Sequence, residues 1–191
     1  MTRSRLEAFS DAVIAIVMTI MVLELRAPHG ASGEDLAPLV PGFVAYVLSF
    51  VNLGIYWNNH HHMFQAVERI NGRILWANLH LLFWLSLFPF MTAWMGENDF
   101  ANLPTATYGV VSLLAAIAYF ILQTSIVAEH GTESKLANAL GRDLKGKSSP
   151  ILYLAAIPLA FLNRWVSLGL YIFVALMWLV PDRRIESMLH E

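Results

Sequence analysis

The sequence predicts an all-α integral membrane protein with six transmembrane helices and both termini in the cytoplasm. Three observations lead there. Of 191 residues, 57% are hydrophobic and 14% are charged, against roughly 25% charged in an average soluble domain. Several apolar runs reach the roughly 20 residues that a helix needs to cross a bilayer. The basic residues are distributed unevenly among the loops, and that unevenness fixes the sidedness. The whole chain, 1–191, reads as one membrane domain, because its loops are too short to fold alone.

The first span runs from about Leu6 to Arg26 and ends before Pro28. A cleaved signal peptide is the alternative. No convincing small-x-small cleavage site follows Leu25, and Asp11 is out of place in such a segment, so the helix is expected to be retained. Pro28, Gly30, Ser32 and Gly33 mark a loop. The second span lies between Leu36 and Phe64, with Pro38 and Pro41 in its first turns, where a missing donor matters little. It closes on Asn58-Asn59-His60-His61-His62. The third runs from about Ile74 to Trp94, and Pro89 should kink it or loosen one turn.

The fourth, about Pro104 to Ala128, looks the plainest of the set. Glu129 to Ser149 reads as a mobile loop with some helix. A shorter fifth span, Pro150 to Leu162, is expected to break at Pro158. Trp165 to Val180 forms the sixth, and Asp182-Arg183-Arg184 begins a polar tail. With six spans, Arg3, Arg5, Arg69, Arg73, Lys135, Arg142, Lys145, Lys147, Arg183 and Arg184 share one side. Only Arg26 and Arg164 face the other. The positive-inside rule then makes the richer side cytoplasmic.

Composition excludes several functions. With no cysteine, disulfides, thiolate catalysis and cysteine metal sites are ruled out. A net charge of −2 without a basic stripe gives no footprint for nucleic acid. No paired carboxylates, nucleophile triad or phosphate loop point to an enzyme.

Ser10 and Asp11 sit inside the first span. A carboxylate at depth costs about 2.5–3.5 kcal/mol on insertion scales unless paired or wetted, so it marks a candidate site. The plain alternative is that Asp11 only marks the helix start among the headgroups. The topology brings Ser10 and Asp11, then His60, His61 and His62, then Asn78 and His80, to one cytoplasmic-side layer. Three readings follow: a packing network that fixes the first helix, a wet interfacial helix end, or a metal or haem site. Successive histidines point about 100° apart on a helix, so only one of the three can join His80 and Asp11. Farther along, Ile16, Thr19, Ile20 and Leu23 share one face, which Phe9 and Ala12 continue. Such a stripe is ordinarily packed or lipid-facing, or it lines a narrow pore that gates by dewetting. A proton- or metal-coupled transporter using the Asp/His cluster is the alternative function.

Arg5-x-x-x-Phe9-Ser10-Asp11 at the start of the first membrane helix resembles the signature of the transmembrane protein 175 family, the lysosomal potassium channel and its bacterial relatives. Tyr56-Trp57 before the histidines, and Asn78-x-His80 with Trp84, are similar to that family too. The resemblance implies a potassium-selective leak-type channel in the cell inner (plasma) membrane. It implies a homotetramer in the lipid bilayer whose central pore is lined by helix 1 of each subunit. K⁺ is the permeant ion, with no cofactor and no fixed structural metal. The apolar constriction falls on Ile16, Ile20 and Leu23 and acts as gate and selectivity element, and a hydroxyl layer falls on Thr19. Arg5, Phe9, Ser10, Asp11, His60, His61, Asn78, His80 and Trp84 become the signature and helix-positioning network. A further position, polar in some relatives, is Ala15 here.

Overall fold

The computed structural model describes residues 2–131 and 144–179. Among them the chain is all-helical, without strands. The helices are α1 (Arg3–Leu23), a short 3₁₀ helix (Gly33–Leu39), α2 (Val40–Gln65), α3 (Gly72–Ser86), α4 (Phe88–Glu97), α5 (Asn102–His130), α6 (Leu144–Leu162) and α7 (Arg164–Leu179). Taken with their continuations, four are long and apolar enough to cross a membrane: Arg3–Leu23, Gly33–Gln65, Gly72–Glu97 and Asn102–His130. Arg164–Leu179 is a shorter apolar helix. Lys135, Arg142, Arg183 and Arg184 of the charge argument lie outside the described residues, as does the polar tail.

Prolines account for most differences from the expected spans. The third span divides at Leu87, two residues before Pro89, as the missing proline donor requires. Pro158, by contrast, does not break the fifth span. That helix is continuous and starts at Leu144, six residues ahead of Pro150. Membrane helices tolerate proline where neighbouring helices pack against it, and Ser167 of α7 ties to this stretch by donating to the Ala156 carbonyl at 2.9 Å. Ahead of α2, Asp35 accepts from both the amide and the hydroxyl of Ser32, at 2.9 and 2.6 Å, and so fixes the start of the 3₁₀ turn.

Polar ties identify which helix ends lie together. At one end, Arg3 donates to the Gln65 carbonyl (3.1 Å), His130 accepts from the amides of Glu68 and Arg69 (3.1 Å each), and Trp178 donates to Ser149 (2.7 Å). At the other, Arg26 pairs with Glu97 at 3.0 Å, and the Phe100 and Trp165 rings lie 5.9 Å apart. Of the described basic residues, Arg3, Arg5, Arg69, Arg73, Lys145 and Lys147 belong to the first end, and Arg26 and Arg164 to the second.

The core is not purely apolar. Thr92 donates to Ser49 (2.6 Å), and Ser49 to the Tyr108 hydroxyl (3.2 Å), joining α4, α2 and α5. Tyr171 of α7 donates to the Thr105 carbonyl at 3.0 Å. The fourth span, α5, is therefore not plain: it buries Thr105, Tyr108, Ser112, Gln123 and Ser125. On α4, a Cβ added at Gly96 would lie 2.6 Å from the Gly42 backbone, so glycine at position 96 is needed for α2 and α4 to touch as they do. Gly96→Ala should push these helices apart and destabilise the protein by about 1–3 kcal/mol, the usual cost of overpacking. The check is a lower melting temperature in detergent; an unchanged one would show that the contact is not tight.

Candidate functional site: the α1 clasp and its free face

Helix α1 presents two different faces. Leu6, Ser10, Ile14, Val17 and Met21 are buried against the rest of the protein. Their spacing of three or four residues is that of one side of a helix. Ser10 is the polar member of this face, and it is fully buried together with Asn78 of α3 and His60 of α2.

These three side chains form a hydrogen-bond chain whose direction is determined. The Ser10 hydroxyl donates to the Leu6 carbonyl at 2.9 Å. It must then accept from Asn78, whose Nδ2 lies 2.9 Å away. That orients the amide so that Asn78 Oδ1 faces His60 Nε2 at 2.8 Å. An oxygen acceptor there requires Nε2 to carry the proton. Three helices are thereby joined through one asparagine, at a depth where an unmatched polar group is costly. His60 also stacks on Phe64 with ring centroids 4.4 Å apart, and its Nδ1 has no hydrogen-bond partner.

The other polar residues pair off separately. Asp11 does not meet a histidine: it accepts from the Trp57 indole N–H at 3.0 Å. Its carboxylate lies about 100° around α1 from Ser10, toward the flank that α2 covers. Glu7 pairs with His61 at 3.1 Å and lies 3.8 Å from Arg3. His61 is further held by Gln65 at 2.8 Å. Buried Nδ1 of His62 has no hydrogen-bond partner. His80 is exposed and accepts from Trp84 at 2.9 Å, so both stand outside the Ser10–Asn78–His60 chain. Two residues after Asn78, His80 points some 200° away from it. Phe9 is about half exposed; Arg5 is exposed, with no partner among the described residues. Glu7, Arg3 and the Trp57 bond to Asp11 had no distinguishing signal in the sequence beyond Trp57 standing near a span end.

Among the described residues, no group of three or more His, Asp or Glu side chains is placed to hold a metal. Nor do the paired groups connect into a relay: Asp11, His60, His61 and His80 each have a different partner.

The second face of α1 is left partly exposed in the protomer, with Ile16 and Ile20 bordering a groove beside Pro89 and Phe90. Ile16 is 56% exposed, Ile20 40% and Leu23 79%; Thr19 and Ala15 are exposed between them. The Thr19 hydroxyl lies within bonding distance of the Ala15 and Ile16 carbonyls, at 3.0 and 2.9 Å. Its proton is thereby committed to the helix backbone, and its lone pairs are left to face outward.

Residues 5–89 match the family model described as the endosomal/lysosomal potassium channel TMEM175. That stretch runs from the signature Arg5 to Pro89 and holds every residue of the clasp. A potassium channel of Chryseobacterium sp. (strain P1-3) is 53% identical over 191 residues, all of both chains. The chain belongs to the TMEM175 family. A potassium channel of Chamaesiphon minutus is 30% identical over 90% of this chain and 91% of its own. The crystal structure of a lysosomal potassium-selective channel TMEM175 homolog from Chamaesiphon minutus superposes with a TM-score of 0.78 at 28% identity, covering 94% of this chain and 97% of that one. The TMEM175 proton channel of Gallus gallus is 29% identical over 160 residues, 75% of this chain but only 32% of that much longer protein.

The clasp makes an ordered prediction. Asn78→Leu leaves the His60 donor unpaired at a fully buried site and removes the donor to Ser10, which should cost about 1–3 kcal/mol per orphaned group. His80→Leu removes a pair that is exposed and should cost less. Melting temperatures of the two variants test this; equal losses would mean the buried chain is not what secures α1.

Proposed function

We propose that this chain is a potassium-selective, leak-type channel of the bacterial inner (plasma) membrane. Four copies surround a central pore lined by α1. The observation that carries the reading is the division of α1 into two faces. One is tied to α2 and α3 by directed hydrogen bonds. The other carries Ile16, Thr19, Ile20 and Leu23 and is left partly exposed in the protomer. The Chryseobacterium and Chamaesiphon relatives that match most or all of the chain are potassium channels, and the superposed homolog is potassium-selective. The basic end of the bundle is its cytoplasmic end in this reading.

In this arrangement four Ile16 side chains form the tightest ring. When shut, the ring is too narrow and too dry for a hydrated ion. A small splay or rotation of the four α1 helices widens and wets it. Selectivity comes from the unequal cost of partly dehydrating K⁺ and Na⁺ at the ring. The Thr19 oxygens, with their lone pairs outward, stand next along the path to replace lost water. Glu24 and Glu34, both exposed near the opposite mouth, raise the local cation concentration there. Ser10 and Asp11, with the α2 and α3 residues that hold them, position the helix and do not touch the ion. Separation of Asp11 and the histidines into unconnected pairs weighs against a coupled transporter, which needs a continuous relay.

Replacing Ile16 with Asn places a hydrogen-bonding amide where the ring must be dry. In liposomes the variant should pass more K⁺ than wild type and discriminate less against Na⁺. Unchanged flux and unchanged K⁺/Na⁺ preference would place the constriction elsewhere.

A further inference from the structure

Away from α1, a cavity lies inside the bundle between α2, α5, α6 and α7. It encloses about 490 Å³ free of protein atoms, counting its mouth, and its interior is narrow. Among the described residues, no charged side chain lines it. Its walls include the aromatic side chains of Tyr56, Phe120, Tyr153 and Trp178, and Asn59 and Gln123 are among its lining residues. On α2 the lining residues Asn52, Ile55, Tyr56 and Asn59 repeat at i, i+3, i+4 and i+7, so one helix face is given over to the cavity.

Gln123 is the anomaly. It is 6% exposed, and its side-chain amide makes no hydrogen bond among the described residues. Its amide atoms are not sealed off, so a polar group entering the cavity can pair with them without breaking an existing protein hydrogen bond. Around it the other polar groups are used: Asn59 donates to the Ile55 carbonyl (2.9 Å), and Ser149 donates to the Lys145 carbonyl (2.8 Å) while accepting from Trp178. A concave, mainly apolar site with a few convergent polar groups is the usual form of a small-molecule pocket.

From this we infer that the cavity binds a neutral, membrane-soluble molecule of about one aromatic ring that carries an amide or similar group able both to donate and to accept. The ring lies among the aromatic walls and the polar group pairs with Gln123. A neutral ligand suits the site, since no counter-charge lines it among the described residues and ion desolvation is expensive. No α1 residue lines the cavity, so the site is distinct from the proposed pore, and its existence does not depend on the pore reading.

The probe is 4-fluorobenzamide, followed by ¹⁹F NMR with the purified full chain in lipid nanodiscs. Wild-type protein should broaden the fluorine signal saturably, and excess unlabelled benzamide should reverse the effect. Gln123→Leu keeps the side-chain size and removes the amide, so affinity should fall about tenfold, equivalent to about 1.4 kcal/mol. Ala116→Trp, on the cavity wall, should abolish binding by filling the space. Broadening no greater than with empty nanodiscs, or saturable binding that both variants retain, overturns the inference. A diazirine-bearing benzamide supplies a measurement on wild type alone: it should crosslink to the α5 and α6 segments around the cavity. Crosslinking confined to other segments also overturns it.

Discussion

One buried asparagine joins the first three membrane passes at a single point. Asn78 gives its amide protons to Ser10 and takes one from His60, and both partners have no alternative at their depth. In water such bonds contribute little, because solvent competes for each group. In the hydrocarbon layer the competing state is an unsatisfied group, so the chain specifies register and rotation even where its net energy is modest. Ser10 is small and directed onto its own helix, which lets α3 approach closely enough for the bond to form.

Fixing the rotation of α1 determines everything on its other side. With Ser10 turned inward, Leu6, Ile14, Val17 and Met21 must also turn inward, and Ile16, Thr19, Ile20 and Leu23 must turn out. The charged groups near the helix start are then held at its flank, Asp11 by Trp57 and Glu7 by His61. Ionisable groups thus gather at the end where α1 is anchored, while the free stripe farther along is uncharged until Glu24. The anchoring contacts and the exposed stripe thus occupy different segments of one helix. The break at Leu87 serves the same division: α3 carries the clasp, and α4, beyond the break, is free to lean on α2 through the Gly96–Gly42 contact.

Much of this was legible in the sequence, for physical reasons. Spans follow from apolar length. Ser10, His60 and Asn78 could be assigned to one layer because topology converts position along the chain into depth. That Ile16, Thr19, Ile20 and Leu23 share one face followed from helical period alone; that this face is exposed did not. The partner of Asp11 was not legible, since depth does not say how far around a helix its neighbour lies; Trp57, read as an interfacial anchor, turned out to be that partner. His80 was placed at the right depth and faces the wrong way for the chain. Proline behaved differently at two positions, dividing the helix near Pro89 and not at Pro158, because the outcome depends on how neighbouring helices pack against it. The polar face of α5 escaped notice because isolated Ser, Thr and Gln residues in an apolar run look tolerated until their burial is seen.

The central claim is that the free face of α1 lines water and not lipid. The absence of cysteine makes the direct test clean, since any introduced thiol is the only one. Leu23→Cys on the stripe can be compared with Phe173→Cys, which is 54% exposed on α7. Both are treated with a membrane-impermeant cationic methanethiosulfonate while liposomal K⁺ flux is recorded. The account predicts that modification reduces flux through Leu23→Cys and leaves Phe173→Cys unaffected. An unreactive thiol at position 23, with flux unchanged, would contradict it and return the stripe to the lipid.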